Sequence, residues 1–162
     1  MLMNKAINDL RKTLTPENVL CELEERYAYA FDASNSFEKT CLPDVVVFAE
    51  TIEQVQNVIK IADKYSIPVI CRGAGTNTVG SCIAEHGGII LNFSKMNKIL
   101  EINRENMTAR VQPGVVLKDL KNQVEKLGLY YPPDPSNLAV STIGGSIAQN
   151  SAGARSFKYG TT

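Results

Sequence analysis

Two stretches with few bulky side chains hold the residue types and spacings that suit ligand chemistry. The first is Arg72-Gly73-Ala74-Gly75-Thr76-Asn77-Thr78-Val79-Gly80. Glycine opens φ > 0 to the backbone and lets a ligand approach without a Cβ in the way. Successive N–H groups in such a loop form a concave nest for phosphate oxygens. Thr76, Asn77, Thr78 and Ser81 add short side-chain donors. Arg72 suits a phosphate or a carboxylate partner, and equally a solvated charge at a strand end. A tight turn between two strands has the same composition, so the loop alone leaves both readings open. It is not a Rossmann fingerprint, because the next element reads as a strand (Ile89–Leu91) and not as a helix. It is not a Walker A loop, because no Gly-Lys-Ser/Thr follows.

The second stretch is Thr142-Ile143-Gly144-Gly145-Ser146-Ile147-Ala148-Gln149-Asn150, followed by Ser151-Ala152-Gly153. A helix with so few bulky side chains suggests that something flat or large packs on it. Adjacent glycines let a planar ring lie directly on backbone, and Asn150 presents a donor and an acceptor to a heterocycle edge. Close helix–helix packing through small residues is the alternative. Our expectation is that both stretches line one slot for a dinucleotide with a planar ring.

The elements that must position these residues follow from hydrophobic period. Met3, Ile7, Leu10 and Leu14 recur at helical spacing. Thr15-Pro16-Glu17 starts a short turn, with Pro at a tolerated first-turn position. Residues 20–40 read as irregular or short-helical. Val45–Phe48 is a β-branched run and reads as a buried strand. Thr51 and Gln54 fit a capping box, and Ile52, Val55, Val58, Ile59 and Ala62 make an apolar helical stripe. Pro68 predicts that this helix stops near Tyr65 to Ile67. Val69–Cys71 is the next strand, so a βαβ unit with parallel strands is expected. Ile99–Asn103 and Met107–Val111 alternate around Arg104-Glu105-Asn106 as a hairpin. Val116, Leu117, Leu120, Val124 and Leu127 form a second amphipathic helix, closed by Gly128. Tyr130-Tyr131-Pro132-Pro133-Asp134-Pro135-Ser136 reads as a stiff extended loop.

Composition excludes several classes. In 162 residues, 17 Lys and Arg balance 17 Asp and Glu, which argues against a nucleic-acid module or a polybasic membrane binder. At 44% hydrophobic and 21% charged the chain is in the globular range. The longest run of large apolar residues, Val45–Phe48, is far too short to span a bilayer, and the polar N-terminus does not read as a secretory signal. Cys21, Cys41, Cys71 and Cys82 form no C-x-x-C pair, and His86 is the single histidine, so no zinc spacing is present. Without a secretory signal the thiols are expected free and partly buried, and the chain cytoplasmic.

Taken in order, Arg72–Gly80, Pro133-Asp134-Pro135-Ser136, Thr142–Gly153 and Tyr159-Gly160 resemble the FAD-binding (PCMH-type) domain of the vanillyl-alcohol oxidase superfamily. The branch they most resemble is the glycolate oxidase D subunit and D-lactate dehydrogenase group. The resemblance runs from about Leu14 to the end. It implies an α+β (α/β) PCMH-type fold: a small βαβ-β lobe with parallel strands, and an incomplete second mixed-sheet lobe. The expected divisions are a helical or irregular segment at 1–40, a first FAD-binding lobe at 41–95 and a second lobe at 96–162, with the substrate cap domain absent.

The same resemblance implies site residues. Arg72, Gly73, Ala74, Gly75, Thr76, Asn77 and Thr78 would hold the FAD diphosphate. Pro133 and Ser136 would lie along the cofactor toward the flavin. Thr142, Gly144 and Gly145 would pass close to the ring, and Ala148, Asn150 and Gly153 would continue that wall. Relatives that attach FAD covalently carry histidine where this chain has Thr76, so FAD is expected to be non-covalent; His86 lies outside that motif. The implied activity is oxidation of a 2-hydroxy acid such as glycolate or D-lactate, with hydride passing from the α-carbon to flavin N5. Electrons would go on to an iron–sulfur subunit or an electron-transfer flavoprotein. Family members continue past Tyr159-Gly160 and carry their catalytic groups and any metal ligands there. The chain is therefore expected to be an N-terminal fragment that is inactive alone and self-associates through unpaired edges. The alternatives are a nucleotide-binding module with no redox role, another flavoenzyme of the fold such as an alkyl-glycerone-phosphate synthase-like protein, and a piece too short to hold FAD.

Overall fold

The computed structural model describes residues 2–34 and 40–162. Phe37, part of the stretch expected to be irregular, lies outside the described residues. The chain forms two compact units, Met1–Lys95 and Met96–Thr162.

In the first unit α1 (Leu2–Thr13) buries Leu10, and Leu14 just beyond it, as expected, together with Ala6; Met3 and Ile7 of the expected stripe are half-buried. A single 3-10 turn (Pro16–Asn18) leads into β1 (Val19–Leu20) and α2 (Leu23–Tyr27). Sequence reading missed β1, because two residues are too short for a period. It pairs antiparallel with β2 (Val45–Phe48) through Val19↔Val47 and Leu20↔Val46.

α3 (Ile52–Tyr65) starts where the Thr51 hydroxyl accepts from the Gln54 N–H at 3.2 Å. The Gln54 side chain reaches back one residue further than a capping box requires, accepting from the Glu50 N–H at 2.7 Å. The buried face is Val58, Ile61 and Ala62, while Ile52 and Ile59 are exposed. The expected stripe is thus rotated toward Ile61. The helix ends at Ser66, in the left-handed conformation (φ 53°), two residues before Pro68.

β3 (Val69–Arg72) and β4 (Ile89–Asn92) complete the sheet in the order β1-β2-β4-β3. β2, β4 and β3 are parallel, as expected of a βαβ unit. β2 and β3 are not neighbours, however: β4 lies between them and pairs with both. Both faces of the sheet are covered. Val46 and Ile90 pack with Ala84, Leu20, Tyr29, Phe48 and Ile70, and Val45, Val47, Ile89 and Leu91 are fully buried as well. This explains the unbroken apolar runs in the sequence.

In the second unit β5 (Ile99–Asn103) and β6 (Thr108–Val111) form the expected antiparallel hairpin. α4 (Leu117–Lys126) buries Leu117, Leu120 and Val124, whereas Leu127 is exposed. Val115 and Ile143 join that core, with Ile99, Ile102, Val111, Leu129, Tyr131 and Leu138 packed around it. A bridge between Val116 and Thr142 fixes the start of α5 (Ile143–Ala148), and α6 (Ser156–Tyr159) follows.

Candidate functional site

The 73–80 loop leaves the C-terminal end of β3, where ligands of parallel α/β sheets bind. Its shape is set from inside. Gly75 has φ +72°, a conformation that disfavours any residue with a Cβ. Asn77 Oδ1 accepts from the N–H of Val79 at 3.1 Å and of Ser81 at 3.3 Å. Asn77 Nδ2 donates to Cys82 Sγ at 3.0 Å. From earlier in the chain, the Ala33 N–H donates to the Asn77 carbonyl at 3.0 Å, and Asp32 Oδ2 accepts from the Gly80 N–H at 2.9 Å. Desolvation pushes the Asp32 carboxyl up. Hydrogen bonds from the Ser34 hydroxyl and N–H and from Gly80 outweigh it and hold the group below the ordinary carboxylate value.

Arg72 is not the solvated strand-end charge that one reading expected. It is neither solvated nor paired with a carboxylate among the described residues. Its guanidinium folds under the loop, donates from Nη1 to Cys82 Sγ at 3.3 Å and lies 5.4 Å from the centroid of the Tyr29 ring. A Cβ on Gly75 would meet Arg72 Cζ at 2.5 Å and push the guanidinium aside, while the backbone angle itself disfavours any side chain there.

Among the described residues, the N–H groups of Gly73, Ala74, Gly75 and Thr78 have no hydrogen-bond partner, and all four residues are partly or fully exposed. Unpartnered amides on exposed or half-buried loop residues, beside a buried cation, suit an anion with several oxygens. The loop thus fits a diphosphate on its own geometry.

The second stretch is only partly available to a ligand. The Thr142 hydroxyl caps α5 by accepting from the Gly145 N–H at 3.3 Å. The Ile143 N–H donates to the Val115 carbonyl and the Gly144 N–H to the Pro113 carbonyl, both at 2.8 Å. The first turn of α5 therefore has its amides committed internally. A Cβ on Gly144 would meet Pro113 Cβ at 2.7 Å and Pro113 O at 3.0 Å. One on Gly153 would run into the Asp134 carbonyl and lie 2.8 Å from Pro135 N. Both glycines permit close approach of protein to protein, against the Pro113 turn and the 134–135 loop and not against a helix as the alternative expected. Gly145 differs: the nearest atom to its Cβ position is Thr142 Oγ1 at 3.1 Å, with nothing else within 4 Å. Ala148 and Asn150 are exposed, and Asn150 Oδ1 accepts from the Thr161 hydroxyl. Ser146 is 2% exposed and its hydroxyl has no partner.

Pro133 is half-buried and Ser136 exposed. The loop that carries them is held at Asp134, which takes Lys121 Nζ at 3.3 Å and Arg155 Nε at 3.5 Å. Pro133 and Gly144 also line an apolar groove of about 1060 Å³ in the second unit, with Ile102, Val111, Leu120 and Ile147. Tyr131 borders it, its hydroxyl pushed up by burial against an opposing hydrogen bond to Thr162.

Sequence reading missed Asp32, Tyr29 and Cys82. A local signal existed only for Asp32, whose Oδ1 accepts from Ser34 two residues on. Nothing in the spacing joins residue 32 to residue 80. None of the four cysteines forms a disulfide: Cys82 is buried, Cys21 and Cys41 are intermediate and Cys71 is exposed. No group of acidic, Cys or His side chains among the described residues could hold a metal. None of the described helices is long and apolar enough to cross a membrane.

Residues 43–162 match the family model described as FAD binding domain. The chain is 42% identical over 147 residues to the glycolate oxidase subunit GlcD of Bacillus subtilis, which covers 91% of this chain and 31% of that protein. It is 39% identical over 151 residues to the D-lactate dehydrogenase of Anaerostipes hadrus, covering 93% and 31%. Among solved structures, an alkyldihydroxyacetonephosphate synthase superposes with a TM-score of 0.87 at 28% identity, over 98% of this chain and 31% of that one. p-Cresol methylhydroxylase with substrate bound gives 0.82 at 29%, over 94% and 30%. The chain spans about a third of the length of the curated relatives it matches. By its match over residues 43–162, this chain belongs to the FAD-binding domain family.

Proposed function

We propose that the chain is the cofactor-binding part of a flavin-dependent 2-hydroxy-acid oxidoreductase. It holds FAD non-covalently, with the 73–78 loop on the diphosphate. The observation that carries this reading is the loop itself: four amides without a partner among the described residues, beside a buried Arg72 that forms no ion pair with a described carboxylate. Thr76 stands where covalent attachment would need a histidine, which supports non-covalent binding. The names of the two sequence relatives, a glycolate oxidase subunit and a D-lactate dehydrogenase, support a small 2-hydroxy acid as substrate of the whole protein.

Bound FAD would supply the two-electron acceptor for oxidation of the substrate α-carbon. The chain's own residues bind and orient. Loop amides fix the diphosphate, Asn77 and Asp32 keep the loop in the shape that presents those amides, and Gly145 leaves open space beside backbone. An iron–sulfur subunit or an electron-transfer flavoprotein as electron acceptor, a cytoplasmic location and self-association belong to the same reading.

The second reading is another flavoenzyme of the fold, favoured by the structural match to an alkyldihydroxyacetonephosphate synthase. The higher sequence identity to the hydroxy-acid enzymes weighs against it. The test is titration of the purified full-length protein with FAD, followed by flavin fluorescence and visible absorbance after removal of free ligand. Saturable, reversible uptake of one flavin is expected. Uptake of ADP but not FAD would leave a nucleotide-binding module, and uptake of neither would refute the assignment.

A further inference from the structure

Arg72 is a buried charge that no described carboxylate of its own unit answers. It is 8% exposed, and no described carboxylate forms an ion pair with it. A guanidinium taken out of water is ordinarily answered by an anion, because the desolvation is otherwise uncompensated. Here it meets a sulfur, a ring and a glycine. Nη1 donates to Cys82 Sγ at 3.3 Å, Cζ lies 5.4 Å from the Tyr29 centroid, and the guanidinium fills the space that a Cβ of Gly75 would take. The last contact puts the cation against the middle of the loop. The same sulfur accepts from Asn77 Nδ2, and Asn77 in turn orders the N–H groups of Val79 and Ser81. One sulfur thus ties the position of the charge to the shape of the loop.

We propose that Arg72 is a positioning residue for the diphosphate: it answers the bound negative charge from beneath the loop, through the backbone, and Cys82 holds it there. The proposal rests on the FAD reading above. It also assigns Gly75 a partner inside the protein.

The experiment uses the 15N-labelled chain with inorganic pyrophosphate and sulfate as probes, and FAD in parallel. In the wild type, the amides of Gly73, Ala74, Gly75 and Thr78 shift saturably, and pyrophosphate binds more tightly than sulfate. In Arg72→Met, pyrophosphate and FAD bind at least about tenfold more weakly and the preference over sulfate collapses, while the β2 and β4 amides keep their shifts. Cys82→Ala, which leaves the charge but not its anchor, moves the same way, and Cys82→Ser, which keeps an acceptor, returns toward wild type. If Arg72→Met does not fold, the two Cys82 variants decide. Unchanged affinities overturn the proposal. Equal loss for both anions with displaced β2 and β4 amides also overturns it, by reducing Arg72 and Cys82 to fold-holding roles. A wild type that binds neither pyrophosphate nor FAD refutes the FAD reading itself.

Discussion

Gly144 and Gly145 are adjacent in one short helix, yet a methyl group added to each meets different surroundings. At Gly144 it meets Pro113 Cβ at 2.7 Å, Pro113 O at 3.0 Å and Pro113 Cα at 3.2 Å. Two of these atoms are backbone, in a turn that also accepts the Gly144 N–H at 2.8 Å. Overpacking of this kind costs roughly 1–3 kcal/mol, and displacing the hydrogen bond adds about 1 kcal/mol. The helix preference of alanine over glycine returns about 1 kcal/mol. Gly144→Ala should therefore destabilise the second unit by about 2 kcal/mol. At Gly145 the only neighbour is the capping Thr142 hydroxyl at 3.1 Å. Its displacement costs at most about 1 kcal/mol, and the helix preference offsets that, so Gly145→Ala should change stability by about zero. Urea unfolding of both variants, with amide exchange reporting the second unit, measures the contrast. The FAD reading adds that Gly145→Val weakens flavin binding with the fold kept, because the branched side chain fills the open space. Equal stabilities for the two alanine variants within about 0.5 kcal/mol, or a costlier Gly145→Ala, would refute the packing argument.

Three further outcomes are expected. Asp9 accepts from Lys12 at 2.8 Å, Lys64 at 2.9 Å and the Tyr65 hydroxyl at 2.8 Å, which together hold its carboxyl well below the usual range. A depressed carboxylate stabilises fully above its unfolded value of about 3.9 and loses that contribution as pH falls toward the folded value. The urea midpoint of wild type should exceed that of Asp9→Asn at pH 6, with the gap shrinking below about pH 4; a gap that widens in acid would contradict the tie between α1 and α3. Gly153→Ala should lower the melting temperature, because its methyl runs into the Asp134 carbonyl and Pro135 N. A neutral result there would mean that the Pro132–Pro135 loop yields freely despite its Lys121 and Arg155 pairs. Self-association at tens of micromolar is expected from the exposed Phe157, Ile147 and Tyr159, and light scattering that finds a monomer would count against it.

Much of the first unit was legible because its elements are long or carry both period and punctuation. Thr51 and Pro68 bracket α3, and the β-branched run at Val45 marks a strand buried on both faces. The hairpin and α4 were readable for the same reasons. Three things were not legible. The insertion of β4 between β2 and β3 is a choice of pairing partner, and local periodicity carries no information about it. The rotation of the α3 stripe toward Ile61 depends on which elements pack on it. At the site, glycine reads the same whether the space it leaves belongs to a ligand or to the protein. Gly144 and Gly153 serve Pro113 and Asp134, Gly145 leaves open space, and Gly75 accommodates Arg72. Only coordinates separate these uses. The same holds for Asp32 and Cys82, which act on the loop from sequence distances of 48 and 5 residues.

The most direct test is a crystal structure of the chain grown with FAD. The account predicts diphosphate oxygens within about 3 Å of at least two of the amides of Gly73, Ala74, Gly75 and Thr78, with the Arg72 guanidinium still on Cys82 Sγ. Flavin bound with its diphosphate away from the 73–78 loop would contradict it.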